Sequence, residues 1–469
     1  TLLKGEAEGL DVIRHLMAFR EGAHAIIADM SKAFLRIKIN EHDRKYLKFL
    51  WKQQDQLIIF QMKVLPFGLI SSPAILSAVI AKVCTEEKMP ELKKHIYMDD
   101  FIYSHDDDVE MIATMKRLSE AFDKAGFQLH KIKSSSVRAK RSMSLNHEKM
   151  AKVLGIPWDT EEDTLGIHLP EMTLPTTRRE MLSFTMAIFD PMGWFAAPRL
   201  AFSLLMQECS LQDWDLPLPG ELIGRIQSTV CDFYANFSGV QMKRHVTGNS
   251  IHAFSDASML AYGYCVYRGQ NTSDLKLIFG KTHVVPKKSK LTIPELELLA
   301  LAKLCLRLEM LQQVKMSAIT VWTDSTINLF RLAKNPDEHT KFVAARLATI
   351  IRIAGELNIE FKHIPGTMNP ADSFSREKSM KFLKEQDLWT WNLNEEVMTS
   401  TSFDIFKINT VRIASVATED AALLKDCTSI SEMIEKMQSK YSELSTSEAN
   451  TKIISIIQDE YKAELPKQA

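Results

Sequence analysis

The chain has 469 residues, a net charge of −1, 45% hydrophobic and 25% charged residues, an ordinary globular composition with room for about three domains. That balance excludes a uniformly basic nucleic-acid binder, so any such contact must come from local patches: residues 1–150 carry 24 Lys/Arg against 20 Asp/Glu, and residues 381–469 carry 10 against 15. The six cysteines, Cys84, Cys209, Cys231, Cys265, Cys305 and Cys427, have no C-x-x-C spacing and read as free thiols of a reducing compartment. No run is long and apolar enough for a membrane span, and no signal peptide is expected.

Taken in chain order, Ala23 to Met30 reads as a short buried strand ending in Asp29, followed by Ser31-Lys32-Ala33-Phe34. Leu65-Pro66-Phe67-Gly68 leads into a helix opened by Pro73, with Ser71 or Ser72 as its cap. Tyr97-Met98-Asp99-Asp100 lies between apolar segments and reads as two strands joined by a tight turn. Adjacent carboxylates repel, and a divalent cation is the simplest partner that would make the pair favourable; an ordinary Asp-rich surface turn is the plainer alternative. The second acidic strand end at Asp29 shifts the balance toward metal. From Lys131 to Lys149 the chain carries Lys133, Arg138, Lys140 and Arg141 among serines, either to track a phosphate backbone or as a mobile, solvated loop.

A second acidic set lies downstream. Ile251 to Asp256 reads as a strand, residues 263–267 as its neighbour, and Thr292-Ile293-Pro294-Glu295 as a helix start with a capping box. That box accounts for Glu295 and leaves Glu297 inside an apolar helix, where an uncompensated charge is costly. Ala318 to Asp324 reads as another strand ending in an acid, and Asn369-Pro370-Ala371-Asp372 as a helix start. Each acid alone has a structural explanation as a cap or turn residue.

Together these motifs resemble the reverse transcriptase and ribonuclease H regions of BEL/Pao-type retrotransposon polyproteins over roughly residues 1–390. The resemblance rests on Tyr97-Met98-Asp99-Asp100 for the first half, and on Leu291-Thr292-Ile293-Pro294, Glu297-Leu298-Leu299-Ala300, Trp322-Thr323-Asp324-Ser325 and Asn369-Pro370-Ala371-Asp372 with Ser375-Arg376 for the second. Phe189-Asp190-Pro191-Met192-Gly193 and Asp213-Trp214-Asp215 belong to the connecting region by the same resemblance. Glu295 departs from it, because the family usually has a basic residue there, and His363 receives no catalytic role. The implied fold is an α+β and α/β multidomain chain: a reverse transcriptase palm with incomplete fingers over 1–135, primer grip, thumb and connection over 136–240, and a mixed-sheet ribonuclease H-like domain over 245–380. Residues 381–469 are a linker or tail whose amphipathic stretch, Ile430 to Ile457, could dock on a partner.

The resemblance further implies that Asp29, Asp99 and Asp100 hold metal in the polymerase site, and that Asp256, Glu297, Asp324 and Asp372 do so in the nuclease site. Phe34 falls at the family's steric gate against a ribose hydroxyl, although its residue type alone fits a core aromatic equally well. Pro66, Phe67 and Gly68 line the nucleotide and template site, Lys131 lies near the incoming triphosphate, and residues 153–158 form the primer-grip hairpin. The implied cofactor is Mg2+, two ions per site, with Mn2+ the alternative that carboxylate ligands do not separate. Implied partners are an RNA template, a DNA primer, RNA/DNA hybrid and dNTPs, with no membrane, and the location is intracellular: cytoplasmic, in virus-like particles, or nuclear. The chain opens shortly before the first catalytic Asp, so the expectation is a polymerase weakened by missing fingers strands beside a better-covered nuclease. A ribonuclease H alone, or a non-catalytic nucleic-acid-binding remnant, are the alternatives. No Asp-Thr-Gly or Asp-Ser-Gly triplet suggests an aspartic protease, and no His/Cys cluster suggests an integrase.

Overall fold

A computed structural model of the chain describes residues 3–5, 11–145, 148–270, 274–310, 318–392, 402–403, 436 and 439. It forms two units, residues 1–169 with 239–246, and residues 170–238 with 247–469. The segment 136–240 is therefore divided between them. Most of the amphipathic stretch 430–457 lies outside the described residues.

The first unit is built on a four-stranded antiparallel sheet in the order Ile96–Tyr97, Asp100–His105, His24–Met30, Leu129–Ser134. The expected two-residue turn is present: Tyr97 pairs with Asp100 across it, and Met98 takes the left-handed conformation at φ 56°, which primed hairpin turns demand. One face of the sheet is covered by the helices Ser72–Glu86 and Asp108–Lys124, which bury Leu76, Ile80, Met111, Met115, Leu118 and Phe122 against Ile26, Ala28 and Phe101. A second sheet contains the hairpin Met150–Val153/Ile156–Asp159, closed by Leu154 and Gly155, again at positive φ. Lys48–Gln53 and Gln56–Gln61 form a separate two-stranded ribbon whose Leu50, Trp51 and Ile59 are exposed.

Two local expectations change. Ser71 occupies the N-cap position of the 72–86 helix without making a side-chain cap bond; the Ser72 hydroxyl instead donates to the Pro66 carbonyl at 2.7 Å, so serine chemistry pins the loop rather than the helix end. The basic segment 131–149 is no continuous loop: it begins in the Leu129–Ser134 strand and includes the helix Val137–Ser142, capped by Ser136.

The second unit carries a seven-stranded sheet in the order Thr390–Trp391, Leu275–Val284, Ala261–Gly269, Ser250–Ala257, Ala318–Thr323, Ile359–His363, Ser402–Phe403. Strands 250–257, 318–323 and 359–363 run parallel, so their carboxyl ends lie side by side. The Ile293–Leu308 helix has the expected capping box, with Thr292 and Glu295 satisfying each other. Asp190 of the connecting motif accepts from the Trp194 and Phe195 amides at 3.0 and 2.8 Å, which anchors the start of the Ala196–Glu208 helix. At Gly193, φ is 67° and an added Cβ would strike the Gly280 carbonyl, so only glycine permits that approach.

Candidate active sites

In the first unit, Asp29 is the penultimate residue of the 24–30 strand and the register partner of Asp100. The Met30 amide donates to the Asp99 carbonyl at 2.8 Å, which locks the turn beside the strand end. Burial, assisted by the other two acids, pushes Asp100 from an ordinary 3.8 up to about 6; burial first and the Asp29 charge second raise Asp99 as well. Three acids are thus held against their mutual repulsion. Lys131 offsets part of it by donating to Asp29 at 2.8 Å, and this bond raises the Lys131 ammonium above its usual range. His130 fixes the same strand end through the Asp29 carbonyl, 2.8 Å from its Nδ1.

A cleft of about 280 Å3 opens from these groups, lined by Asp29, Asp100, Lys131, Lys133, Glu148 and the hairpin residues Met150 to Leu154. The hairpin expected as a primer grip therefore borders the same cleft as two of the acids. Lys133 and Glu148 pair across it at 2.5 Å. Phe34, in a short turn just past the strand, and the exposed Phe67 bring their rings to 5.1 Å. Gly68 follows at φ 87° with open space where a side chain would stand, and Pro66 is held by Ser72.

In the second unit, Asp256 lies near the end of the 250–257 strand and is 2% exposed. Asp324 follows the parallel 318–323 strand directly, Glu297 projects from the first turns of the 293–308 helix, and Asp372 opens the Asp372–Ser375 helix. Burial raises the carboxyl groups of Asp256, Glu297 and Asp324 above their usual range, and the Asp324 charge adds to this at Asp256 and Glu297. Glu297 accepts from Ser325 Oγ at 2.5 Å. Asp256 accepts from the Ser375 hydroxyl and from Arg376 at 3.1 Å, and Asp372 is met by Arg376 and by Lys378 at 2.8 Å. Asp324 Oδ1 is buried without a hydrogen-bond partner, and an added Cβ at Gly366 would press on Asp324 Oδ2 at 3.0 Å.

Hard oxygen donors of this kind suit Mg2+ or Mn2+, and the orphaned Asp324 oxygen is what a cation would satisfy. Among the described residues, however, no three His, Cys, Asp or Glu side chains converge as a ready metal site; Lys131, Arg376 and Lys378 carry the compensating charge instead.

Comparison with known families divides the chain much as these sites do. Residues 6–169 match the model for reverse transcriptase (RNA-dependent DNA polymerase), and residues 177–325 match that for the Pao retrotransposon-like RNaseH-like domain. The chain therefore carries a reverse transcriptase region followed by a region similar to the Pao retrotransposon RNaseH-like domain. Solved structures similar in fold include the foamy viral protease-reverse transcriptase in complex with RNA/DNA hybrid, at 16% identity and TM-score 0.56, covering 77% of this chain and 46% of that one. Its complexes with dsDNA give TM-scores of 0.52 and 0.54, also at 16% identity, each covering 78% of this chain and 60% and 72% of theirs. The chain thus spans about half the length of the first of these proteins. No curated protein matches it. Both families generally use divalent metals, and among the described residues no helix is long and apolar enough to cross a membrane.

The structure gives partners in both sites to groups that sequence patterns left without a role. Glu148 and Lys378 were not singled out, Lys133 entered only among the basic residues of 131–149, and Ser325 only as wording shared with the family. Ser375 and Arg376 entered only as wording shared with the family, without a role, although an Arg four positions after a helix-opening Asp is a spacing that can pair.

Proposed function

We propose that this chain is an RNA-directed DNA polymerase joined to an RNA/DNA-hybrid ribonuclease, each centre working by phosphoryl transfer on two divalent cations. The observation that carries the reading is the pairing of acids by sheet register: Asp29 opposite Asp100 in one unit, and Asp256 and Asp324 at neighbouring parallel strand ends in the other. Asp29, Asp99 and Asp100 would hold the metals of the first centre, and Asp256, Glu297, Asp324 and Asp372 those of the second. When bound, such ions activate the attacking oxygen and stabilise the leaving one; Mg2+ fits, and Mn2+ serves the same donors.

The chain's own residues supply position and charge. Phe34 and Phe67 form an aromatic wall that would restrict the sugar of an incoming dNTP, with Pro66 and Gly68 letting template backbone approach closely. Lys131, already next to Asp29, would turn to a triphosphate once metal neutralises the acids. The cleft along residues 150–154 would receive the DNA primer end on an RNA template. In the second centre Ser325 orients Glu297, and burial excludes bulk water from Asp256.

The test is cleavage of a labelled RNA strand in an RNA/DNA hybrid with Mg2+, beside Asp256→Asn, and primer extension on an RNA template beside Asp100→Asn. Loss of cleavage of about a thousandfold or more in the first variant is expected from removing a metal ligand. Cleavage that survives the change overturns the nuclease assignment. Cleavage without extension in the wild type leaves a ribonuclease alone.

A further inference from the structure

We propose that Arg376 is a resident counter-cation of the nuclease acids, a side chain that competes with divalent metal for Asp256 and Asp372 and leaves them when metal binds. This rests on reading those two acids as metal ligands.

Arg376 donates to Asp256 Oδ2 at 3.1 Å and pairs with Asp372 four positions before it. One guanidinium therefore bridges two acids that come from distant parts of the chain. The arrangement has a rigid base. Ser375 is fully buried, gives its hydroxyl to Asp256, and has its carbonyl held by Ser258 Oγ at 2.7 Å. Next to this fixed serine the Arg376 side chain is nearly half exposed, so the head group can leave for solvent without disturbing the backbone that positions it. Lys378 adds a second cation on the far oxygen of Asp372.

The distribution of charge is uneven. Asp256 and Asp372 have these cations, whereas Glu297 is met by the neutral Ser325 hydroxyl and Asp324 Oδ1 has no hydrogen-bond partner. A carboxylate as buried as Asp256 needs either a cation or a proton. Arg376 supplies the cation from within the chain and holds the acid in place before metal arrives. The same oxygens cannot serve a guanidinium and a metal together. A ligand that binds only the fraction of molecules in which its site is clear shows an affinity lowered by that fraction. Metal affinity here is thus set partly by how firmly Arg376 holds on.

The experiment uses the full chain carrying Asp100→Asn, so that metal binding at the first centre is weakened, with MnCl2 as the probe. Calorimetric titration gives the Mn2+ affinity, and thermal unfolding in chelator gives the stability of the metal-free state. Replacing Arg376 with Gln should tighten Mn2+ binding about tenfold, the scale of one charge-assisted hydrogen bond, and lower Tm in chelator. Arg376→Lys, which keeps the charge but loses the fork, should fall between the two, and it carries the test if the Gln variant does not fold. Unchanged or weaker Mn2+ binding in both variants overturns the proposal, because a merely structural arginine lowers Tm without improving metal binding. Asp256→Asn separates the two levels. If it weakens Mn2+ binding while the Arg376 variants leave it unchanged, the counter-cation is wrong and the metal site stands; if it has no effect, both fall.

Discussion

Replacing Asp100 with Asn should make the metal-free protein more stable at neutral pH and leave it unchanged near pH 4. Burial and the charges of Asp99 and Asp29 move this carboxyl from 3.8 to about 6. Between those values the folded chain keeps a proton that the unfolded chain has released. Folding is therefore favoured at the acid end, weakens as pH rises through the window, and levels off above about 6. The gap corresponds to about 3 kcal/mol at 1.36 kcal/mol per pKa unit. Solvent screening in an open cleft cuts that to roughly 1.5 kcal/mol. Asparagine has no charge to bury, so its advantage should grow between about pH 4 and 6 and then hold. Urea unfolding in chelator across this range, with amide exchange of the 100–105 strand as a local readout, measures it. An offset that is equal at every pH, or a variant less stable at pH 8, would refute the reasoning.

Two further changes test the framework. Arg244, wholly buried, donates to both Asp163 oxygens at 2.7 Å and to the carbonyls of Phe19, Gly22 and Ala23. Arg244→Met should cost about 3–5 kcal/mol in urea unfolding, since it strands an acid and three carbonyls, and adding Asp163→Asn should cost less than the sum of the two. Gly193→Ala meets both a left-handed backbone and the Gly280 carbonyl; it should lower the thermal stability of the second unit by more than the roughly 1–2 kcal/mol of the backbone term alone, and a Tm within a degree of wild type would contradict that.

Strand ends and turns were legible in the sequence because short apolar runs closing on Asp, and an Asp pair at a hairpin tip, have few alternative local structures. Thr292 and Glu295 gave away their helix start for the same reason, the bonds being local. What stayed hidden is long-range. Arg376 looks like any basic surface residue until the fold brings Asp256 to it from 120 positions away. Arg244 is likewise an ordinary charge in sequence and an anchor in the structure, because its partners lie 81 to 225 positions upstream. Ser72 shows the opposite failure: a residue of the right type at a helix start took a different acceptor, Pro66, because the loop carbonyl was within reach.

The parallel strands of the second unit also govern when its chemistry can begin. Their acids are register neighbours but arrive far apart during synthesis, with Ser375 reaching Asp256 across 119 positions. A ribosome that has released the chain through residue 324 has delivered three of the four carboxylates and none of the helix that carries Asp372, Ser375 and Arg376. Contacts of such high sequence separation form late. On the proposed nuclease assignment, the nascent chain therefore has no complete centre until almost the whole of this sheet has been made, which would delay any cutting of RNA until the first unit, already synthesised, has had time to fold.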